Sequence, residues 1–321
     1  MAWSTLGSAS TEGTRQAEPA APTLAPTLAP TRGAPGAAMR ARRRARWLRR
    51  LLWSPLSAAG AAVVLVLVLC AATPGTIAPF PQDAGPSVHF DRTFQPPGRP
   101  HWFGTDEVGR DILSRVVFGA RTSLTLTAVV LGIALAAGIP LGLVAGYWNE
   151  RRLSAVIMRT TDVFLSVPPL ALALAAAAAF RPDLGSAAVA ISFTWWPWYA
   201  RLVYGEVLAR REEPFVEAAR ALGQRELGIA FRQILPNVVS PIVVKATLDV
   251  SFVILLGSGL SFLGVGAQEP TPDWGAMIAR GRAFLPGQWW VSTMPGVVIF
   301  VAVMGFNLLG DALRDALDVW E

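Results

Sequence analysis

The sequence predicts an all-α, polytopic membrane protein with six transmembrane helices. Three observations carry that class. Of the 321 residues, 53% are hydrophobic and only 16% charged. Mean hydropathy is positive, which is unusual for a soluble domain. Six apolar stretches are each close to the roughly 20 residues needed to cross a bilayer core. They run over residues 51–72, 122–148, 163–180, 185–208, 238–263 and 291–309. Backbone groups in lipid find no water partner, so each stretch is expected to be helical.

Residues 1–50 form an N-terminal tail. Its first part, 1–39, is rich in Ala, Pro, Thr and Gly, with a local repeat APTLAPTLAPT from Ala21. Such a segment buries too little apolar surface to offset its ordering entropy and is expected to be disordered. Arg40, Arg42, Arg43, Arg44, Arg46, Arg49 and Arg50 follow. A basic cluster can bind nucleic acid or anionic lipid. Directly before an apolar span, its expected role is to hold the N-terminus in the cytoplasm, with no nucleic-acid partner. The single cysteine, Cys70, excludes an intrachain disulfide. Leu69 before it is too large for a lipoprotein cleavage site, and the span 51–72 is expected to be retained as the first helix.

Six crossings from a cytoplasmic start return the C-terminus to the cytoplasm. Arg151, Arg152 and Arg159, then Arg210, Arg211, Arg220, Arg225 and Arg232, then Arg314 fall in the cytoplasmic turns. Outside, Arg110, Arg115 and Arg121 are balanced by Asp83, Asp91, Asp106, Glu107 and Asp111, so the charge rule supports this orientation. The outside segment 73–121 opens Pro- and Gly-rich and is expected to be irregular. After Asp106, Ile112, Leu113, Val116 and Val117 fall at helical spacing and predict an amphipathic helix on the outer surface, before the second crossing. The core 122–321 then holds five helices. Its first carries Gly138, Gly142 and Gly146 in line with Ala134, a face of small side chains for close helix packing, and Pro140 as a kink.

No catalytic or metal-binding residue is expected. A phosphate-cradling loop needs a lysine before Ser or Thr, and the sole lysine, Lys245, stands in VVKAT. The two histidines, His89 and His101, both fall outside, with no HExxH and no cysteine cluster, so neither a metal hydrolase nor a Cys-His nucleophile is expected. The polar segment 217–236, EAARALGQRELGIAFRQILP, is different in kind. Wedged between apolar runs, it cannot lie in hydrocarbon and must offer a face to something soluble. Glu217 supplies a carboxylate near a helix start. Ala218 and Ala219 are small enough for a partner to approach, and Gly223 permits a sharp turn. Leu227, Ile229, Ala230, Phe231 and Ile234 are expected to face the membrane domain. Leu235 and Pro236 lead into the next crossing, Pro236 suiting a first helical turn.

This segment resembles the EAA coupling loop of permease subunits of ATP-binding-cassette importers. The stretch from His101, with Phe103, Gly104, Thr105, Asp106, Gly109, Arg110, Asp111, Leu113, Ser114, Arg115, Gly119, Ala120 and Arg121, is similar to the C-type permease subunit of dipeptide and oligopeptide importers. So are Leu260 to Gly264, Gln268, Pro270, Pro272, Trp274, Gly275, Met277 and FNLLGDALRDALD from Phe306. The resemblance implies a type I importer permease fold and a coupling loop within 210–236, where Glu217, Ala218, Ala219, Gly223, Leu235 and Pro236 engage an ATPase. It further implies a homologous second permease subunit, two cytoplasmic ATPases that bind the ATP and Mg, an extracytoplasmic substrate-binding protein, and a bacterial inner or plasma membrane. The chain itself would hold no cofactor.

Gln233 stands where the family often has histidine, and Gly257 where a glutamate is common. Lys245 and Asp249, four residues apart on one helix face, stand where relatives are uncharged. Ionisable groups in a membrane are costly. The pair either lines the translocation path and meets peptide termini, or is mutually neutralising and faces the partner subunit. Trp195, Trp196, Trp198 and Tyr199 are read as packing or an interface belt rather than a substrate stack. Cargo stays open among dipeptides, longer peptides, glutathione-like compounds and nickel complexes. An ion-coupled secondary transporter and a membrane-anchored interaction protein are the alternative classes.

Overall fold

The computed structural model describes residues 54–318. The expected disordered tail and arginine cluster, residues 1–50, lie outside the described residues, as does the start of the first crossing. The main helices are α1 (Pro55–Ala72), α2 (Ile112–Tyr147), α3 (Arg152–Leu165), α4 (Pro169–Ala177), α5 (Leu184–Arg210), α6 (Pro214–Ala221), α7 (Val239–Phe262), α8 (Trp274–Gly281) and α9 (Trp290–Asp318). Among the described residues the only strand-like pairing is an isolated bridge between Thr105 and Asp111.

Four helices, α1, α2, α7 and α9, are long and apolar enough to cross a membrane, and the α3/α4 pair would make a fifth. The third crossing, expected over 163–180, is not one helix and starts earlier: the chain is helical from Arg152 to Leu165, breaks, and resumes over Pro169–Ala177 with a bend of 92°. Pro168 and Pro169 explain the break: neither can donate to a helical ladder, and each disfavours helical backbone in the residue before it. The expected fourth crossing, α5, has ample length at 27 residues, but Arg201, Tyr204 and Glu206 make it less apolar.

The expected separate amphipathic helix also does not exist. Its residues are the first turns of α2, which continues unbroken for 36 residues through Pro140. That is about 54 Å at 1.5 Å per residue, against about 30 Å of hydrocarbon, so the helix is longer than a bilayer crossing needs. Asp111 fixes the start, accepting hydrogen bonds from the Ser114 backbone N–H and hydroxyl at 2.7 Å each. Three turns on, the Arg121 guanidinium donates to the carbonyls of Ala71 and Ala72 at 2.7 and 2.8 Å, capping α1.

The most intimate contact is between α2 and α5. A Cβ added at Gly138 would lie 2.6 Å from the Tyr199 Cβ, one at Gly142 2.5 Å from the Ala200 carbonyl oxygen, and one at Gly146 2.9 Å from the Tyr204 carbonyl oxygen. The small-residue face read from the sequence is therefore the α5 contact. Numbers on the two helices rise together along the seam, so α2 and α5 run parallel and finish at the same end of the bundle. At that end α6 and the chain leading into α7 form an elbow. α1 and α9 pack similarly, Gly60 meeting Leu308 and Gly305 meeting Val63.

Gly142→Val is expected to lower stability by about 1–3 kcal/mol through overpacking, read as the thermal unfolding midpoint in detergent. Gly132→Val on the same helix, where an added Cβ meets nothing within 4 Å, is expected to leave the midpoint in place.

Candidate functional site: the polar elbow

Pro214 starts α6, where its missing N–H costs no hydrogen bond. The helix ends in a Schellman turn: Gly223 has φ +74°, its N–H bonds Arg220 O at 2.9 Å, and Gln224 N–H bonds Ala219 O at 3.1 Å. The second limb is helical over Glu226–Ile229, widens to a π-turn over Ala230–Ile234, and tightens again over Leu235–Asn237 before α7. Pro236 accounts for the widening, because its ring would clash with the Arg232 carbonyl in a regular α-helix. A side-chain hydrogen bond from Gln233 to Gln224, 3.3 Å, spans the two limbs.

The elbow has an inner and an outer face. Val216, Ala219, Ile229, Ala230 and Ile234 are buried in the same core as Tyr147 and Val207. Ala219 was expected to admit a partner; it is packed against this chain's own core, and Ala218 is the exposed alanine. Leu227 and Phe231, expected to face inward, point out. Four residues apart, they share one helix face, and it is the face opposite Ile229. Glu217, Ala218, Gly223, Gln224 and Pro236 are exposed, Leu235 is half-buried, and Leu222 is 80% exposed at the apex.

A polar triangle ties this elbow to α2. The Tyr147 hydroxyl donates to the Glu226 carboxylate. Arg220 reaches the Tyr147 phenol oxygen at 3.4 Å, approaches Glu226 at 3.8 Å, and stacks 5.7 Å over the tyrosine ring. The bond to the phenol holds the Arg220 guanidinium above its ordinary pKa, against a smaller opposing effect of burial. Beside the triangle opens a polar cleft of about 530 Å³, bordered by Trp148, Arg151 and Arg211.

Lys245 and Asp249 are brought together as expected, Nζ to Oδ1 at 3.1 Å. Asp249 is buried at 3% exposure and accepts a second bond from the Trp195 indole N–H at 3.0 Å. The ammonium lies 5.5 Å from the Trp198 ring and 5.6 Å from the Tyr199 ring. The pair thus fastens α7 to α5 of the same chain. Lys245 also borders a cleft of about 470 Å³, lined by Glu206, Ser240, Phe252 and Arg314.

The segment between α1 and α2 is largely irregular but densely pinned. His101 is buried and bonds Asp111 at 2.9 Å, Asp83 accepts from the Asp111 N–H at 2.9 Å, and His89 meets Asp83 at 3.1 Å. Glu269 gathers Arg110 at 2.7 Å, Arg115 at 2.9 Å and Arg280. Among the described residues no group of three His, Cys, Asp or Glu side chains is placed to hold a metal. Tyr147 and Glu226, unremarked in the sequence, are the residues that lock the elbow, and no spacing rule pairs positions so far apart.

Residues 138–320 match the sequence profile of the binding-protein-dependent transport system inner membrane component. The chain is 39% identical over 265 residues to a probable D,D-dipeptide transport system permease protein of Escherichia coli K12, covering 83% of this chain and 88% of that one. It is 45% identical over 224 residues to a dipeptide transport system permease protein of Alkalihalophilus pseudofirmus, covering 70% and 73% respectively. In fold it matches a methionine ABC transporter solved in inward-facing conformations, with a TM-score of 0.53 and 19% identity, over 63% of this chain and 96% of that one. With its exposed elbow, its apolar helices and these relatives, the chain belongs to the family of binding-protein-dependent transport system inner membrane components.

Proposed function

We propose that this chain forms half of the translocation path of an ATP-driven importer of dipeptides or oligopeptides. The observation that carries the reading is the elbow: its inner face is sunk into the core while Leu222, Glu217 and Ala218 stand free at the apex. Bare Leu222, with exposed Leu227 and Phe231 on the second limb, gives the elbow an apolar knob for a protein partner, here one of two separate ATPases that bind ATP and Mg. A second homologous permease completes the path, and an extracytoplasmic binding protein delivers cargo. Peptide cargo is supported by the relatives named above; nickel or another small solute is the alternative within the family. The arginines around the elbow support a cytoplasmic position for it, with both termini on that side.

When the ATPases close on ATP, they displace the knob. The elbow is fused to α5 and α7, so both are driven, and the path opens alternately to either side. The chain supplies the lever and leaves the hydrolysis to its partners. The Lys245 and Asp249 pair is read as a fastening: both carboxylate oxygens are satisfied within the chain, and the two aromatic rings shield the ammonium.

Leu222→Asp is expected to abolish ATPase co-purification while leaving the unfolding midpoint unchanged. Gly223→Val meets no steric obstacle but forces a β-branched residue into left-handed backbone, roughly 1–2 kcal/mol of local strain. It is expected to insert normally and to hydrolyse ATP without uptake. Uptake at the wild-type rate in both variants, measured in proteoliposomes with candidate peptides, overturns the reading. Asp249→Ala strands a partly buried lysine and is expected to destabilise the chain by about 3 kcal/mol. Lys245→Met combined with Asp249→Leu should recover most of that loss and keep peptide selectivity, which binding competition would check.

A further inference from the structure

The elbow is covalently continuous with α5 and α7 but not with α2. Even so, its firmest polar attachment is to the last residue of α2. Tyr147 is 4% exposed, and its hydroxyl, the one polar atom of the side chain, is committed to Glu226. Glu226 opens the second limb of the elbow and Arg220 belongs to the first; the two lie on either side of the Gly223 turn. Arg220 meets both Tyr147 and Glu226, at 3.4 and 3.8 Å. One phenol therefore holds both limbs, across a turn that nothing else crowds: an added Cβ at Gly223 meets no atom within 4 Å. Hydrogen bonds to charged groups are stronger than neutral ones.

α2 is also the helix best placed to receive a displacement. Its glycine seam against α5 ends at Gly146, next to Tyr147, where close packing leaves no slack between the two helices. Arg211, at the end of α5, adds a guanidinium donation to the Tyr147 carbonyl at 3.4 Å. At the start of α3, the Ser154 hydroxyl donates to the Ala145 carbonyl at 2.8 Å. Four separate elements converge on the last turn of one helix.

We infer that Tyr147 is a positioning residue for coupling: its hydroxyl, held between Glu226 and Arg220, makes α2 travel with the elbow, so that the ATPase stroke moves α2, α5 and α7 as one body. Without it, the limbs pivot at Gly223 and part of the stroke is lost before it reaches the path. The inference rests on the coupling reading above but adds a member to the moving unit that chain connectivity does not supply.

The test uses the complete transporter, with its partner permease, ATPases and binding protein, in proteoliposomes. Tyr147→Phe keeps the buried ring and removes only the hydroxyl; Glu226→Ala removes the acceptor. Both variants are expected to assemble and to hydrolyse ATP, yet to consume at least about threefold more ATP per molecule of cargo taken up, with Glu226→Gln in between because its amide oxygen still accepts from the phenol. A purely structural contact would lower the unfolding midpoint or the yield of complex without changing that ratio. Spin labels at exposed Glu150 and Arg225 report the motion directly. Their separation is expected to stay constant through the ATP cycle in the otherwise unaltered transporter and to vary in Tyr147→Phe. If the unaltered transporter takes up cargo with coupled hydrolysis while both variants keep its ratio and its constant label separation, the inference is overturned and the importer reading stands. If the unaltered chain binds no ATPase, the importer reading itself fails, and this inference with it.

Discussion

Everything at the elbow depends on α2 and α5 touching backbone to backbone. Lipid offers no hydrophobic drive for two apolar helices to associate, so their contact must come from close packing. Gly138, Gly142 and Gly146 supply it by removing the side chains that would hold the axes apart. The seam then places Tyr147 beside Val207, and this fixes where α5 leaves the bundle and where α6 must turn. A methyl group in the seam would separate the helices and carry away the pocket into which Val216, Ala219 and Ile229 fit. The polar triangle is possible only because the apolar seam sets its geometry first.

The elbow resolves two conflicting demands on one short segment. It must be anchored, or a push on it would be absorbed locally, and it must be exposed, or nothing could push it. Helical periodicity separates the two tasks. In α6, Val216 and Ala219 are three apart and go inward, while Glu217, Ala218 and Ala221 face out. The Schellman turn at Gly223 satisfies the carbonyls that end the helix without adding bulk at the apex. In the second limb Ile229, Ala230 and Ile234 go inward, and the π-turn over Ala230–Ile234 makes room for the ring of Pro236 without breaking that face.

What the sequence made legible was whatever leaves a local, periodic mark. The glycine spacing disclosed a packing face, Gly223 disclosed a turn, and the apolar runs disclosed the long helices, because each depends on neighbours within one or two turns. The arrest at Pro168 and Pro169 was equally local, yet an apolar run conceals it: hydropathy integrates over composition and is blind to a missing N–H. The inward turn of Ala219 was misread because smallness serves a core contact as well as a partner contact. The triangle left no mark at all. Tyr147 and Glu226 are far apart in sequence, and neither is unusual for its own surroundings. The buried His101–Asp111 pair and the partly buried His89–Asp83 pair were hidden in the same way, in a stretch whose prolines and glycines suggested little order.

The two ends of α2 make these observations one mechanical problem. At the far end, Asp111 is held by His101, by Ser114 and, through its own N–H, by Asp83; at the near end, Tyr147 is held by Glu226 and Arg220. An uninterrupted helix of 36 residues, ending in Tyr147, joins them. A helix pinned by charge-assisted bonds at both termini and closely packed along one side has few ways to yield except as a unit. Bending at Pro140 would open the seam on either side of it, because Gly138 and Gly142 straddle the proline and both sit against α5. The α5 contact on both sides of Pro140 therefore opposes bending there. Motion of α2 together with α5 and the elbow preserves the seam and the Tyr147 bonds, and bending at Pro140 does not.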